Sequence, residues 1–339
     1  MEINLLKYFT IKRFINVVKI LVSYNLSMAL RKPLMWGMPL SYSIEPTNHC
    51  NLECPECPSG LGSLTRPLGL MKPEFFERLV DDICGEGFYL QLFFQGEPFI
   101  NKNLPEMIRY AQEQRMYVAV STNGHFINKE NVDSVLNNAP DKIIYSIDGL
   151  DEESYQNYRV GGTFEQADAG LRSLTAQKKL RKLKKPFVEL QFIVMKQNEH
   201  LLSSVLKYGR DTGVDKVVFK TMQISSYENA LRFLPDNKKF WRYEMGSNTF
   251  KVKGRLKNRC FALWRTSVAT WDGRIVPCCF DKDAGFEFGR LNGRDFSSIW
   301  HSDKYQQFRQ RVLDDRKGIS ICSNCTEGMN MNILEIEQS

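Results

Sequence analysis

Cys50-Asn51-Leu52-Glu53-Cys54-Pro55-Glu56-Cys57 places three thiols in one short stretch, spaced Cys-x3-Cys-x2-Cys, with no fourth cysteine close behind. Thiolates are soft ligands suited to iron–sulfur chemistry or zinc. A closed structural zinc site or an ordinary four-iron cluster takes four protein ligands. Three leave one metal atom open, and an open position is where a substrate or cofactor binds. The competing arrangement is a zinc knuckle that borrows a distant fourth ligand. His49 is adjacent, but neighbouring side chains diverge in an extended or looped backbone.

The rest of the chain sets the frame. At 339 residues, 42% hydrophobic and 25% charged, it has the composition of an ordinary globular protein of one large or two unequal domains. Nine cysteines are too sparse for a disulfide scaffold. They cluster as the triplet, Cys278-Cys279 and Cys322-x2-Cys325, which reads as metal binding in a reducing compartment. Cys84 stands alone on the apolar side of a helix expected over 73–84, as a small buried hydrophobe. The formal charge of +7 is mild. Part of it lies in the run from Lys178 to Lys185, just before Pro186, where a solvated helix end is the natural reading. No aromatic residues interleave that run, so no nucleic-acid partner is expected.

In the first forty residues Leu5, Leu6, Phe9, Phe14, Ile15, Val18, Leu21 and Val22 recur at roughly helical spacing among Lys7, Lys12, Arg13 and Lys19. Those charges interrupt the apolar run well short of the ~20 residues that span a bilayer. Lys19 also falls inside the apolar region that a signal peptide cleaved near Ser27-Met28-Ala29 would need. An amphipathic helix remains. It either packs on the body of the protein, the preferred reading, or touches an anionic membrane surface through residues 1–35. The corresponding location is cytoplasmic, or peripheral at the inner membrane face.

From 41 to 226 short β-like runs alternate with helical segments. Strands are expected over 41–45, 89–95, 117–121, 142–146, 187–195 and 217–221, and helices over 73–84, 103–114, 129–139, 163–185 and 200–212. Six such repeats imply parallel strands with right-handed crossovers, a partial (β/α)6 TIM-like barrel in the α/β class. Residues 227–258 show no clear period and read as a linker. Residues 259–328 read as a small domain with a hairpin turned at Asp272-Gly273 and a helix, and 329–339 as a tail.

In a parallel barrel the functional groups gather at the carboxyl ends of strands, and each motif falls at such a place. The triplet follows the first strand. Its spacing is that of the radical S-adenosylmethionine (SAM) enzymes, and the chain resembles that superfamily. Gln95-Gly96-Glu97-Pro98 follows the second strand and is similar to the family's Gly-Gly-Glu-Pro segment, which receives the methionyl amino group; here Gln95 replaces the first glycine. Ser121 and Asn123 end the third strand, and Ser146 and Asp148 the fourth. These groups suit ribose and carboxylate oxygens, although Asn-Gly and Asp-Gly also simply make turns. Arg159 resembles a family arginine that pairs with the SAM carboxylate, as a guanidinium fork does well. Gln191, mid-strand, is either lumen-facing and near the ribose or on the outer face. The resemblance implies a [4Fe–4S] cluster on Cys50, Cys54 and Cys57. Reduced flavodoxin or ferredoxin would supply the electron that cleaves SAM to a 5′-deoxyadenosyl radical.

Cys260, Cys278, Cys322 and Cys325 resemble the opening of the SPASM domain, in the truncated "twitch" form with one auxiliary [4Fe–4S] cluster. Cys279 is left over and stays open as an alternative ligand, and a zinc ribbon on the same cysteines is the competing structure. A fully ligated auxiliary cluster suits an electron acceptor, so the resemblance implies oxidation of a hydroxyl- or amine-bearing carbon in a small molecule or conjugate. Asp281 or Asp283 is the candidate proton acceptor by position. A maturase acting on a ribosomal peptide is one alternative, and a non-catalytic iron–sulfur protein binding nucleic acid or membrane another.

Overall fold

The computed structural model describes residues 7–329 and the backbone of residues 334–337. Leu5 and Leu6 of the expected amino-terminal helix, and the rest of the 329–339 tail, lie outside the described residues.

Helix α1 (Ile11–Leu30), capped by the Thr10 hydroxyl, leads into β1 (Ser41–Ile44). α2 (Pro73–Ile83) starts with proline at its first position and buries Phe76, Leu79, Val80 and Ile83, one stripe of a 3.6-residue period. β2 (Tyr89–Gln91), α3 (Leu104–Glu113), β3 (Tyr117–Thr122), α4 (Val132–Asn137) and β4 (Lys142–Ser146) follow. Then come α5 (Glu152–Gln156), opened by a reciprocal Asp151–Ser154 cap, α6 (Phe164–Leu180), β5 (Phe187–Val194), α7 (Leu202–Thr212) and β6 (Lys216–Thr221). β1 to β6 pair in sequence order and all parallel, which is the expected half-barrel. The largest departures from the expected bounds are in β2 and α6. β2 stops at Gln91, and α6 stops at Leu180, so most of the basic run forms the turn after the helix. Cys84 caps α2 half-buried, not fully inside.

The expected linker is structured. It holds α8 (Tyr227–Phe233) and an antiparallel hairpin of β7 (Tyr243–Gly246) and β8 (Thr249–Val252). Beyond it, α9 (Ala262–Arg265), β9 (Thr266–Ala269), β10 (Arg274–Val276) and β11 (Gly289–Arg290) precede α10 (Phe296–Trp300), α11 (Asp303–Asp315) and β12 (Leu334–Glu337). Gly273 turns the β9–β10 hairpin at φ +83. This hairpin does not stand apart. β9 pairs parallel with β1, and β12 pairs antiparallel with β6, giving one ten-stranded sheet ordered β11-β10-β9-β1-β2-β3-β4-β5-β6-β12. Trp264, Phe296, Trp300 and Val312 share a core with Phe76, Leu90 and Val118. The carboxyl-terminal region is thus welded to the first half of the barrel.

Candidate active site

Strand alternation decides which side chains reach the interior. Tyr42, Ile44, Leu90, Val120, Tyr145, Leu190 and Phe192 all join the helix-side cores. Their neighbours Ser43, Gln91, Ser121, Ser146 and Gln191 therefore face the lumen, which resolves the two placements open for Gln191. These lumen-facing groups are polar, and on the same wall the adjacent strands β4 and β5 are joined by a Lys142–Glu189 ion pair at 2.7 Å.

The cysteine loop springs from the carboxyl end of β1 and is tied to the neighbouring strand ends by hydrogen bonds. The Glu53 N–H reaches the Val160 carbonyl at 2.7 Å, the Glu97 N–H reaches the His49 carbonyl at 2.7 Å, and Asn123 Nδ2 donates to Asn51 Oδ1 at 2.8 Å. Gly96 sits at φ +76, and a Cβ there would lie 2.5 Å from the His49 carbonyl oxygen. Only glycine lets the second strand's loop approach the cysteines so closely. Behind the loop Arg66 grips Glu45 through both guanidinium ends at 2.6 and 2.5 Å, with both side chains buried. Neither residue was singled out from sequence. Their partnership spans twenty-one positions and carries no local signature.

Glu97 is fully enclosed. One carboxylate oxygen accepts from Thr122 Oγ1 at 2.8 Å and the Phe99 N–H at 3.2 Å; the other accepts from the Asn123 N–H at 2.7 Å. Burial pushes its carboxyl up to about 7 against those hydrogen bonds. Its side chain braces the end of β3, so what Gly96-Glu97 offers toward the cysteines is backbone. Asp148 is similarly committed. It accepts from Arg159 Nε at 2.6 Å and from the Ile193 N–H at 2.7 Å, while Asn198 Nδ2 holds its carbonyl at 2.9 Å. Burial alone would lower the Arg159 guanidinium, yet Asp148 and the Cys54 sulfur hold it above its ordinary value. Asp148 thus positions an arginine beside the cysteine loop. Thr122, part of the strand-end motif Ser121-Thr122-Asn123-Gly124, completes the frame with Asn198 and His125, whose Nε2 accepts from the Thr163 N–H at 3.0 Å; the last two have no signal in the sequence.

All nine cysteines are free thiols. Burial raises Cys50 to about 11 and Cys54 to about 12, so bare thiolates are disfavoured in the loop and an iron's positive charge would offset that cost. Among the described residues no three Cys, His, Asp or Glu side chains are grouped as ligands of a single ion. A four-iron cluster takes its thiolates at separate irons.

The second cysteine group lies at the other end of the same wall. Cys260 precedes α9, and Cys278 follows β10, which runs back toward the amino end of β9 and hence of β1. Cys260, Cys322 and Cys325 are buried. Arg316 reaches into them, donating to Cys325 Sγ at 3.3 Å, and its Nε has no hydrogen-bond partner among the described residues. An anionic sulfur-rich group beside that guanidinium fits the donor set. A cavity of about 160 Å³ is lined by Cys260, Cys278, Cys279 and Cys325 on one side and by Ser43 and Gln91 of the lumen on the other. Cys279 is exposed to this space, so the structure places it with the group rather than away from it. Glu327 also lines the cavity and is paired with Arg265 at 3.3 Å.

The candidate proton acceptors are otherwise employed. Asp281 accepts from the Gly285 and Phe286 N–H groups at 2.8 and 2.9 Å, and Asp283 accepts from the Thr65 N–H and hydroxyl at 2.8 and 2.6 Å. One closes its own turn, and the other clasps the cysteine loop's far limb.

A half-barrel with a three-thiol loop at the carboxyl end of its first strand defines a class, and the comparisons agree. Residues 44–184 match the Radical SAM superfamily, and residues 260–326 match SPASM, an iron–sulfur cluster-binding domain. The chain belongs to the radical SAM superfamily, as a member with a SPASM-type auxiliary domain, and its cofactors are SAM, the [4Fe–4S] cluster that binds it and an auxiliary cluster. It is 28% identical to a PqqA peptide cyclase of Granulibacter bethesdensis over 80% of this chain and 76% of that one. It is 21% identical to an S-adenosyl-L-methionine-dependent 2-deoxy-scyllo-inosamine dehydrogenase of Niallia circulans, over 87% and 94%. Among solved structures, BtrN in complex with AdoMet and 2-DOIA superposes with a TM-score of 0.55 at 18% identity, covering 88% of this chain and 97% of that one.

Proposed function

We propose that this enzyme oxidises a hydroxyl- or amine-bearing carbon of a small molecule or conjugate held in the barrel lumen. The observation that carries the reading is the arrangement of the two cysteine groups. They lie at opposite ends of one polar lumen, with a cavity joining the second group to it. When bound, SAM and the two clusters supply the radical that removes a hydrogen atom and the acceptor for the electron that follows. On this reading Cys50, Cys54 and Cys57 hold the first cluster; Cys260, Cys278, Cys322 and Cys325 hold the second, with Cys279 at hand. Arg159 fixes the SAM carboxylate, the Gly96 segment its amino group, and Ser121, Asn123, Ser146 and Gln191 its ribose. Of the carboxylates near the auxiliary cysteines, Glu327 lines the interior cavity, so it is better placed than Asp281 to take the substrate proton. Free thiols and two oxygen-labile clusters suit the cytoplasm, with reduced flavodoxin or ferredoxin as donor.

A second reading is peptide maturation, supported by the long match to a peptide cyclase. One experiment separates them. The reduced enzyme is incubated with SAM and size-fractionated cell extract, and 5′-deoxyadenosine formation is followed. Acceleration by a low-mass fraction, with a product two hydrogens lighter than its substrate, is the expected result. Acceleration only by peptide fractions would replace the first reading with the second.

A further inference from the structure

Helix α1 is amphipathic in an inverted sense. The side chains it buries are Arg13, Asn16, Ile20, Ser23 and Ser27, four of them polar. Arg13 and Asn16 dock the helix by hydrogen bonds to the barrel floor, while the Ser23 hydroxyl bonds within the helix to the Ile20 carbonyl and Ser27 to the Ser23 and Leu34 backbone. Arg13 donates to the carbonyls of Tyr8, Arg115 and Cys84, and Asn16 exchanges two bonds with the Met38 backbone at 2.8 Å each. Tyr8, just ahead of the helix, packs on Tyr117 at the foot of the lumen and donates to Asp141. The opposite side carries exposed Phe14, Ile15, Val18, Leu21 and Val22, extended by Ile11 at 81% and Leu30 at 63% exposure. At ~100° per residue these side chains fill about half the circumference, centred opposite the buried stripe. Among the described residues nothing covers this face, and an apolar face of this breadth marks an interaction surface.

Charge identifies what it meets. Between Ile3 and Ile44 stand Lys7, Lys12, Arg13, Lys19, Arg31 and Lys32, and no Asp or Glu. Removing those six from 46 basic residues leaves 40 against 39 acidic ones, so the chain's positive excess is almost entirely here. Lys12 and Lys19 follow one flank of the apolar arc, although Lys12 also pairs with Glu86 at 3.0 Å. Arg31, which also donates to the Leu313 carbonyl at 3.4 Å, and Lys32 follow its end, and Trp36, 49% exposed, comes a few residues further along the chain. Apolar centre, basic border and a flanking tryptophan are the composition of a helix lying in a membrane interface. Among the described residues no helix is long and apolar enough to cross a membrane. We propose that α1 docks the enzyme in-plane on an anionic lipid surface, its apolar face entering the acyl boundary and its lysines meeting headgroup phosphates. The helix underlies the amino ends of the strands, so this docking turns the Cys50–Cys57 mouth away from the bilayer and leaves it open to water.

The test is flotation of the full-length, cluster-loaded protein with vesicles of phosphatidylcholine containing phosphatidylglycerol, or of phosphatidylcholine alone. The expected result is flotation with the anionic vesicles, weakened by salt and ~10-fold weaker with the neutral ones. Val18→Asp with Val22→Asp should lose ~10-fold or more of this binding while SAM cleavage persists. Lys19→Glu with Lys32→Glu should remove the preference for anionic vesicles without touching the apolar face. Three outcomes would overturn the proposal: wild type that never floats, valine variants that float like wild type, or a wild-type dimer that these variants render monomeric. The last would assign the face to a second copy of the chain.

Discussion

The two cysteine groups are built by different means. The first is a continuous loop whose shape is fixed by backbone: Glu53 tied to Val160, His49 to Glu97, and Asn51 to Asn123. The second gathers thiols from positions 260 to 325, and what holds them near one another is an aromatic core and one buried arginine. A loop that keeps its shape through hydrogen bonds can afford to leave a metal atom open, because closing the site is not what holds the chain together. A group assembled from distant segments depends more on its metal for the local fold.

Ligand variants test this contrast most severely. Cys54→Ala should lower SAM cleavage by on the order of a thousand-fold or more, since groups that act as a unit fail together. Iron should fall from about eight to about four per chain, with the melting temperature nearly unchanged. Cys322→Ala should retain SAM cleavage but lower the melting temperature by roughly 5 °C. Anaerobic reconstitution, iron assay and thermal melts read all of these. Equal melting losses for both variants would break the comparison.

Glu97 sharpens it through pH. Its carboxyl rises from the ordinary 4.5 to about 7 on folding, because burial outweighs its three hydrogen bonds. The native state then holds a proton that the unfolded chain has released, so its contribution is fully present below pH 4.5 and is lost as pH rises through about 7. The loss amounts to about 3 kcal/mol at most, from 1.36 kcal/mol per pKa unit. Glu97→Gln should flatten this part of the pH dependence. Melts of both proteins between pH 5 and 8 measure the difference, and parallel curves would show that Glu97 is ionised throughout.

Local chemistry made the fold and the first site legible. The triplet, the strand–helix alternation and the polar strand ends each lie within a few residues of sequence, and the sheet puts them where parallel topology requires. What escaped was long-range or inverted. Arg66 meets Glu45 through tertiary contact alone. Asp148 stands where a ligand contact would stand, and the sequence cannot tell such a contact from the group that steadies its neighbour. The β7–β8 ribbon escapes because each strand is only four residues long, although they do alternate: Tyr243 and Met245 pair with Val252 and Phe250 on the core side, Glu244 with Lys251 on the other, and Ser247-Asn248, with Asn248 at φ +58, makes the turn. In α1 the apolar periodicity was plain, but the stripe that packs inward is the polar one. Asn16, Ser23 and Ser27 find backbone partners that no hydropathy pattern reveals.

Arg159→Lys is the finest probe of the difference between the two regions. Lysine keeps the charge and can keep the ion pair with Asp148, now 2.6 Å long, so the fold around the cysteine loop should survive. What it gives up is the planar fork that can hold a carboxylate with two parallel bonds. If Arg159 meets the SAM carboxylate, KM for SAM should rise ~10-fold with little change in kcat or melting temperature. The same exchange at Arg316, whose guanidinium contacts Cys325 Sγ, should leave KM for SAM alone and shift the auxiliary cluster's reduction potential instead. An unchanged KM in Arg159→Lys would make that arginine a strut of the cysteine loop. Both groups would then be held by buried cations in the same way, and their difference would lie in the backbone alone.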